Sequence, residues 1–327
     1  MHLAIAGSVA ADHLQTFAGQ FSDSLVPDQL DKLSVSFLVA DLDIRRGGCA
    51  GNIAFALANL GQRPTLVAAV GKDFVEQGYQ AWLENAGVDC SSVHVSETLH
   101  TALCTITTDE AHAQVVTFYP GAMSEARFID VAALHADRPI DLLLIGPDDP
   151  DAMLRHTQTA REIGLPFVAD PSQQLAWADG DLIRQLIEGA AYLFTNDYEA
   201  ALVEQKTGWS AEEVKAAVGV QVITRGKDGV TVIDADGTRI EVPALAGVEA
   251  ADPTGVGDSF RGGFLAGLAA GLDLQTCAQI GCTIAASVVE TTGTQEYTLE
   301  RETFLARFAA AYGAEAGERV AQALAVS

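Results

Sequence analysis

The sequence predicts an α/β fold, a three-layer α/β/α sandwich on a mostly parallel sheet with a small β lid. Three observations predict it. Short continuous apolar runs alternate with helical stretches along most of the 327 residues, as in parallel strands buried on both faces. Two strand-like segments, 33–46 (LSVSFLVADLDIRR) and 99–118, have no partner helices and read as a layer set apart from the main sheet. No repeat, low-complexity run or shift of composition marks a linker, so residues 1–327 are expected to form a single domain.

Residues 2–7 (HLAIAG) read as a buried first strand, 50–61 as a helix and 64–70 as a strand. Apolar runs at 141–146, 166–169, 191–195 and 220–225 supply further strands, with helices near 150–163, 179–188 and 197–207. Residues 229–242 (GVTVIDADGTRIEV) read as a hairpin around Asp236-Gly237, a pair that tolerates the left-handed backbone of a tight turn. From 257 on the chain reads as helix, at 258–271, 274–290 and 300–325. The lid segments, approximately 13–47 and 99–120, are expected to form a small antiparallel layer, as plain edge strands or as a flap over a site at the strand ends.

Hydrophobic residues make up 49% and charged residues 19%, which allows a large core and argues against disorder. Nineteen basic against 44 acidic residues leave a net charge of −25, a surface that repels nucleic acid and anionic lipid. The five cysteines are odd in number and form no CxxC, so neither a disulfide framework nor a zinc site is expected, and a reducing cytoplasmic setting fits. The start, MHLAIAGSVAADH, lacks a basic n-region, and no apolar run is long enough for a membrane helix.

Several motifs are missing. Gly71-Lys72 and Gly226-Lys227 are each followed by Asp, which rules out a Walker-A loop, and Phe260 stands where a dinucleotide fingerprint needs its third glycine. Neither HExxH nor GxSxG occurs.

The stretch ADPTGVGDSFRGGFLAG (251–267) carries the chemistry. Gly255 and Gly257 bring backbone close to a ligand at a helix mouth, where free amides and the dipole make an anion site. Asp258 would repel an anion there, but as a base it could take a proton from a hydroxyl while the amides hold a transferring phosphoryl group. The stretch alone fits a helix cap equally well. Asn196 and Glu199 in TNDYEA have a spacing suited to the water shell of a phosphate-bound Mg²⁺, or to a solvated helix face. TRGKDG (224–229) is a strand-end turn that could meet a nucleotide. RRGGCAGN (45–52) and GSVAAD (7–12) lie at strand ends, where α/β sheets bind ligands, and Asp12 with Asn52 could grip adjacent sugar hydroxyls.

Together these stretches resemble the ribokinase-like, phosphofructokinase-B type kinase family over essentially the whole chain. GGCAGN and DPTGVGD match its two signatures, with Pro253 and Val256 where Thr and Ala are more usual. SVSFLV, TFYPGAMSEAR, ADPSQQLA, LFTNDYE and TGTQEY are similar to the bacterial adenosine kinases of that family. The resemblance implies Asp258 as catalytic base and Gly255, Val256 and Gly257 as anion hole. It implies Ser8, Asp12, Ser36, Gly48 and Asn52 around the ribose and Phe118 and Gln173 beside the base. Asn196, Thr224, Gly226 and Gly229 would lie by ATP, Glu199 would act through Mg²⁺, and Asp252 would help position a monovalent cation such as K⁺. Cys104 stands where the subgroup tends to have an aromatic near the base.

The implied reaction is phosphoryl transfer from Mg·ATP to the 5′-hydroxyl of adenosine, with a sugar kinase on the same scaffold as the nearest alternative. A catalytically silent nucleoside-binding regulator would need no base. The apolar lid strands, SVSFLV above all, point to a homodimer packed lid against lid.

Overall fold

The computed structural model describes residues 1–24 and 34–326. Its main sheet has eight strands. From one edge the parallel strands run Thr65–Val67, Leu3–Ala6, Leu142–Ile145, Phe167–Ala169, Tyr192–Asn196 and Val220–Thr224. Val230–Ile233 and Arg239–Val242 extend the sheet antiparallel, as the hairpin at Asp236-Gly237 requires. Along Leu142–Ile145, Leu142 and Leu144 enter one core and Leu143 and Ile145 the other, the period-two alternation of a strand covered on both faces. Helices Cys49–Asn59, Val256–Ala269, Leu274–Val289 and Arg301–Tyr312 pack on the first face. Pro150–Ile163, Gly180–Ile187 and Asp197–Thr207 pack on the second, completing the three layers.

One contact brings the two signature stretches together. A Cβ on Gly262 would stand 2.5 Å from the Cβ of Ala56, so helices Val256–Ala269 and Cys49–Asn59 touch almost backbone to backbone. Their amino-terminal turns therefore lie side by side at the carboxyl edge of the sheet.

The lid is a separate four-stranded sheet, ordered Val39–Gly47, Ala10–Phe17, Ala102–Thr108 and Gln114–Tyr119. It is mixed rather than antiparallel, because its two central strands, Ala10–Phe17 and Ala102–Thr108, run parallel. The sequence AADHLQTF shows no clean alternation, so this strand was not legible, and Asp12 lies inside it rather than in a loop. Residues 34–38 of the expected lid strand are not in a strand, which starts at Val39; residues 25–33 of the segment lie outside the described residues. The expected strand 64–70 is two: Thr65–Val67 stays in the main sheet, while Ala69–Val70 leaves it to pair with His94–Val95. The expected helix 300–325 is broken at Gly313, whose φ of 99° no helix accepts, into Arg301–Tyr312 and Ala314–Ala323.

Candidate active site

Gly255 starts the Val256–Ala269 helix at φ 75°, a left-handed conformation that glycine adopts without strain. The backbone amides of Gly255, Gly257 and Asp258 find no acceptor among the described residues. They are the open donors of a helix mouth, with the positive end of the dipole behind them. Val256 donates only a long 3.4 Å bond, to the carbonyl of Pro253.

The side chain of Asp258 is partly buried beside these amides. Burial pushes its carboxyl up to about 6. The hydrogen bond from Asn52 and the charge of Arg261 hold it from rising further, while the Asp170 carboxylate works against them. Asn52 Nδ2 donates to Asp258 Oδ2 at 2.8 Å. The orientation of Asn52 is set from behind by Gln295, fully buried, whose Nε2 donates to Asn52 Oδ1 at 2.9 Å and to the Tyr79 hydroxyl at 2.6 Å. Tyr79 donates in turn to the carbonyl of Gly47 at 2.9 Å, and Trp82 Nε1 to Gln295 Oε1 at 3.1 Å.

Gly48 opens the Cys49–Asn59 helix at φ 89°, and a Cβ there would lie 2.5 Å from Val9 Cα. The Asp12 carboxylate rests against the Cα of Gly47. Burial, and then the charge of Glu296, push Asp12 up to about 6. Asp12, Cys104 and Phe118 are in register across three lid strands and so share one face. Phe118 is 53% exposed, an aromatic face open to a ligand.

Other expected residues are placed differently. The Ser8 hydroxyl accepts the Cys49 amide at 3.1 Å and so caps that helix. Ser36 is exposed in the stretch before the lid strand and makes no hydrogen bond among the described residues. Gln173 is exposed on the turn Ser172–Ala176, its Nε2 3.8 Å from Cys49 Sγ. Asn196 and Thr224 are paired neighbours at the sheet edge, beside the turn containing Gly226 and Gly229. Asn196 and Glu199 form a capping box: Asn196 Oδ1 accepts the Glu199 amide at 2.7 Å and Glu199 Oε2 accepts the Asn196 amide at 2.8 Å. That explains their spacing structurally, yet it occupies only part of the acceptor capacity of Glu199. Among the described residues no three His, Cys, Asp or Glu gather as a metal cage. A single carboxylate at the edge suits an ion that arrives on nucleotide phosphates, which needs only one or two protein ligands.

The sequence reading overlooked Asp170, Arg261, Gln295 and Tyr79. A signal existed for Arg261, a charge one turn past Asp258 in an otherwise apolar helix. Asp170 ends a strand; Tyr79 and Gln295 meet only through the tertiary fold.

A doubly covered parallel sheet, a β lid and a glycine-rich helix mouth with an aspartate at its rim define a ribokinase-like kinase. The chain belongs to the pfkB family of carbohydrate kinases, whose profile (pfkB family carbohydrate kinase) matches residues 18–301. The structure of Burkholderia thailandensis nucleoside kinase in complex with inosine is similar to it with a TM-score of 0.81 and 36% identity, over 95% of this chain and 98% of that one. The nucleoside kinase of Methanothermobacter thermautotrophicus is 31% identical over 292 residues, 88% of this chain and 92% of the relative. That of Methanocaldococcus jannaschii is 30% identical over 249 residues, 76% and 80% of the two chains.

Proposed function

We propose that this kinase transfers the γ-phosphoryl group of ATP to the 5′-hydroxyl of a nucleoside, with adenosine as acceptor, giving AMP and ADP. One observation carries the reading: Asp258 stands beside amides that have no acceptor among the described residues, with a carboxyl pushed up to about 6. At pH 7 it is mostly ionised and can take the hydroxyl proton as the new bond forms, while the amides meet charge on the transferring group. Asp12 and Asn52 hold the ribose hydroxyls with Gly48, Ser8 and Ser36 nearby. Phe118 stacks on the base, and Gln173 meets its edge.

Asn196, Thr224, Gly226 and Gly229 face ATP, and Glu199 would hold Mg²⁺ through water. Mg²⁺, when bound, neutralises phosphate charge. A monovalent cation near Asp252 belongs to the same reading, as does a cytoplasmic setting, which the five free thiols support. A homodimer through the lid is supported by Leu42 and Ile44, 53% and 55% exposed on one lid face.

The similar kinase that binds inosine favours a second acceptor. Adenine and hypoxanthine differ at the 6-position, and a glutamine amide such as that of Gln173 can serve either by donating or accepting. ADP release measured with adenosine, inosine, guanosine, cytidine, ribose and fructose tests the reading. The expected order puts adenosine first and inosine next. A preference for ribose or fructose would make the protein a sugar kinase, and no ADP release with any acceptor would remove the assignment.

A further inference from the structure

Arg261 lies one turn beyond Asp258 on the Val256–Ala269 helix. It is buried, 5% exposed, as is Asp170, 1% exposed at the end of the strand Phe167–Ala169. They form a two-pronged ion pair: Arg261 Nη2 donates to Asp170 Oδ1 at 2.7 Å and Nε to Oδ2. The third nitrogen, Nη1, donates to the carbonyl of Gly257 at 3.1 Å. A Cβ at position 257 would stand 3.1 Å from that nitrogen, so glycine there leaves the guanidinium its room.

Three consequences follow from this geometry. The Gly257 carbonyl and the Asp258 amide belong to one planar peptide unit, so fixing the oxygen on one side aims the N–H to the other. That N–H is one of the open donors of the helix mouth. Next, Asp170 anchors the turn that carries Gln173; its own amide donates to Ile145 at 3.0 Å, and Ser172, two residues on, is held at φ 42°, a strained value for a residue with a side chain. Finally, one cation acts on several carboxylates. The titratable groups acting on Asp258 are Arg261 on its own helix, Asp170 at the strand end and Cys49 on the Cys49–Asn59 helix, and Glu199 from the helix Asp197–Thr207 also lies within the reach of Arg261.

A buried ion pair is a poor choice for stability alone, since desolvation cancels much of its attraction. We propose that Arg261, held by Asp170, is a positioning residue for phosphoryl transfer: it aims the Asp258 amide into the anion hole and keeps the Asp258 carboxylate ready to accept a proton. This rests on the reading of Asp258 as base.

The test is the pH dependence of kcat, with KM for nucleoside, in Arg261→Met, Arg261→Lys and Asp170→Asn. In Arg261→Met, kcat is expected to fall about 10²-fold, the cost of one lost anion-hole donor, with KM changed less than about threefold. Loss of the cation raises the proton affinity of Asp258, so the acid limb of kcat moves up by about one pH unit. Asp170→Asn removes an anion, so its limb moves down. Arg261→Lys keeps the charge but not the fork, and is expected to restore the limb while recovering only part of kcat. Opposite shifts in Arg261→Met and Asp170→Asn are the signature of the proposed role. Limbs that stay put or move together in the two variants, or a Lys variant no better than Met, would overturn it. If Arg261→Met does not fold, Asp170→Asn and Arg261→Lys carry the same comparison against wild type. An active Asp258→Asn enzyme would instead remove the base assignment itself, whatever the Arg261 variants do.

Discussion

The side-chain amide of Asn52 donates to the carboxylate of Asp258 at 2.8 Å, across 206 residues of sequence. It joins the expected ribose-holding stretch to the expected base. On the proposed reading, the 5′-hydroxyl would meet a base already oriented by Asn52, and Asn52 would share its amide between Asp258 and the substrate.

Asp12 and Asp258 are both pushed up to about 6, chiefly by burial. If both must be ionised, kcat/KM, which reports the free enzyme, falls below about pH 6 with a slope approaching two protons. Asp12→Asn is expected to be slower, with a slope near one. A wild-type limb of slope one centred near pH 4 would contradict this.

The same two shifts bear on stability. A carboxyl whose folded value is raised above its unfolded one binds more protons in the folded state, so stability declines as pH rises from about 4 to 6. Asn at 258 removes this cost. Thermal unfolding of Asp258→Asn at pH 7.5 should occur about 1–3 °C above wild type, with the gap closing at pH 4. A lower Tm at both pH values would mean that the ionised carboxylate stabilises the fold.

Gln295 is the buried hub behind Asn52. Gln295→Leu leaves Asn52 Oδ1, the Tyr79 hydroxyl and Trp82 Nε1 short of a partner. We expect a loss of roughly 2–4 kcal/mol by urea unfolding, since each buried unsatisfied group costs about 1–3 kcal/mol and partial relaxation offsets some of it. KM for the nucleoside should rise as Asn52 loses its fixed orientation. An unchanged midpoint and KM would show that the network is dispensable.

On the proposed reading, Phe118 is expected to separate nucleoside from sugar recognition. Base–aromatic stacking is worth about 1–3 kcal/mol, so Phe118→Ala should lower kcat/KM for adenosine by roughly tenfold or more. Turnover of free ribose, which has no base to stack, should be unaffected. An equal fall for both substrates would assign Phe118 to the packing of the lid.

Most of the fold was legible because buried parallel strands and amphipathic helices announce themselves by period. The lid was harder: Ala10–Phe17 mixes apolar and polar residues on both faces, so its strand and its parallel pairing emerge only from the fold. Gly48 and Gly255 were legible because a left-handed backbone restricts which residues can stand there, and Asn52 and Asp258 stood out as polar residues in the first turns of the helices those glycines open. Gln295 and Asp170 were not, because their importance lies in partners 243 and 91 residues away.

The most direct test compares AMP formation from adenosine and ATP by wild type and Asp258→Asn, with adenosine binding measured by calorimetry. Asp258→Asn is expected to bind adenosine within a few-fold of wild type and to form AMP roughly 10²–10⁴ times more slowly, as for a lost general base. Near-normal AMP formation by the variant would contradict the role of Asp258 and leave it a residue of the helix mouth alone.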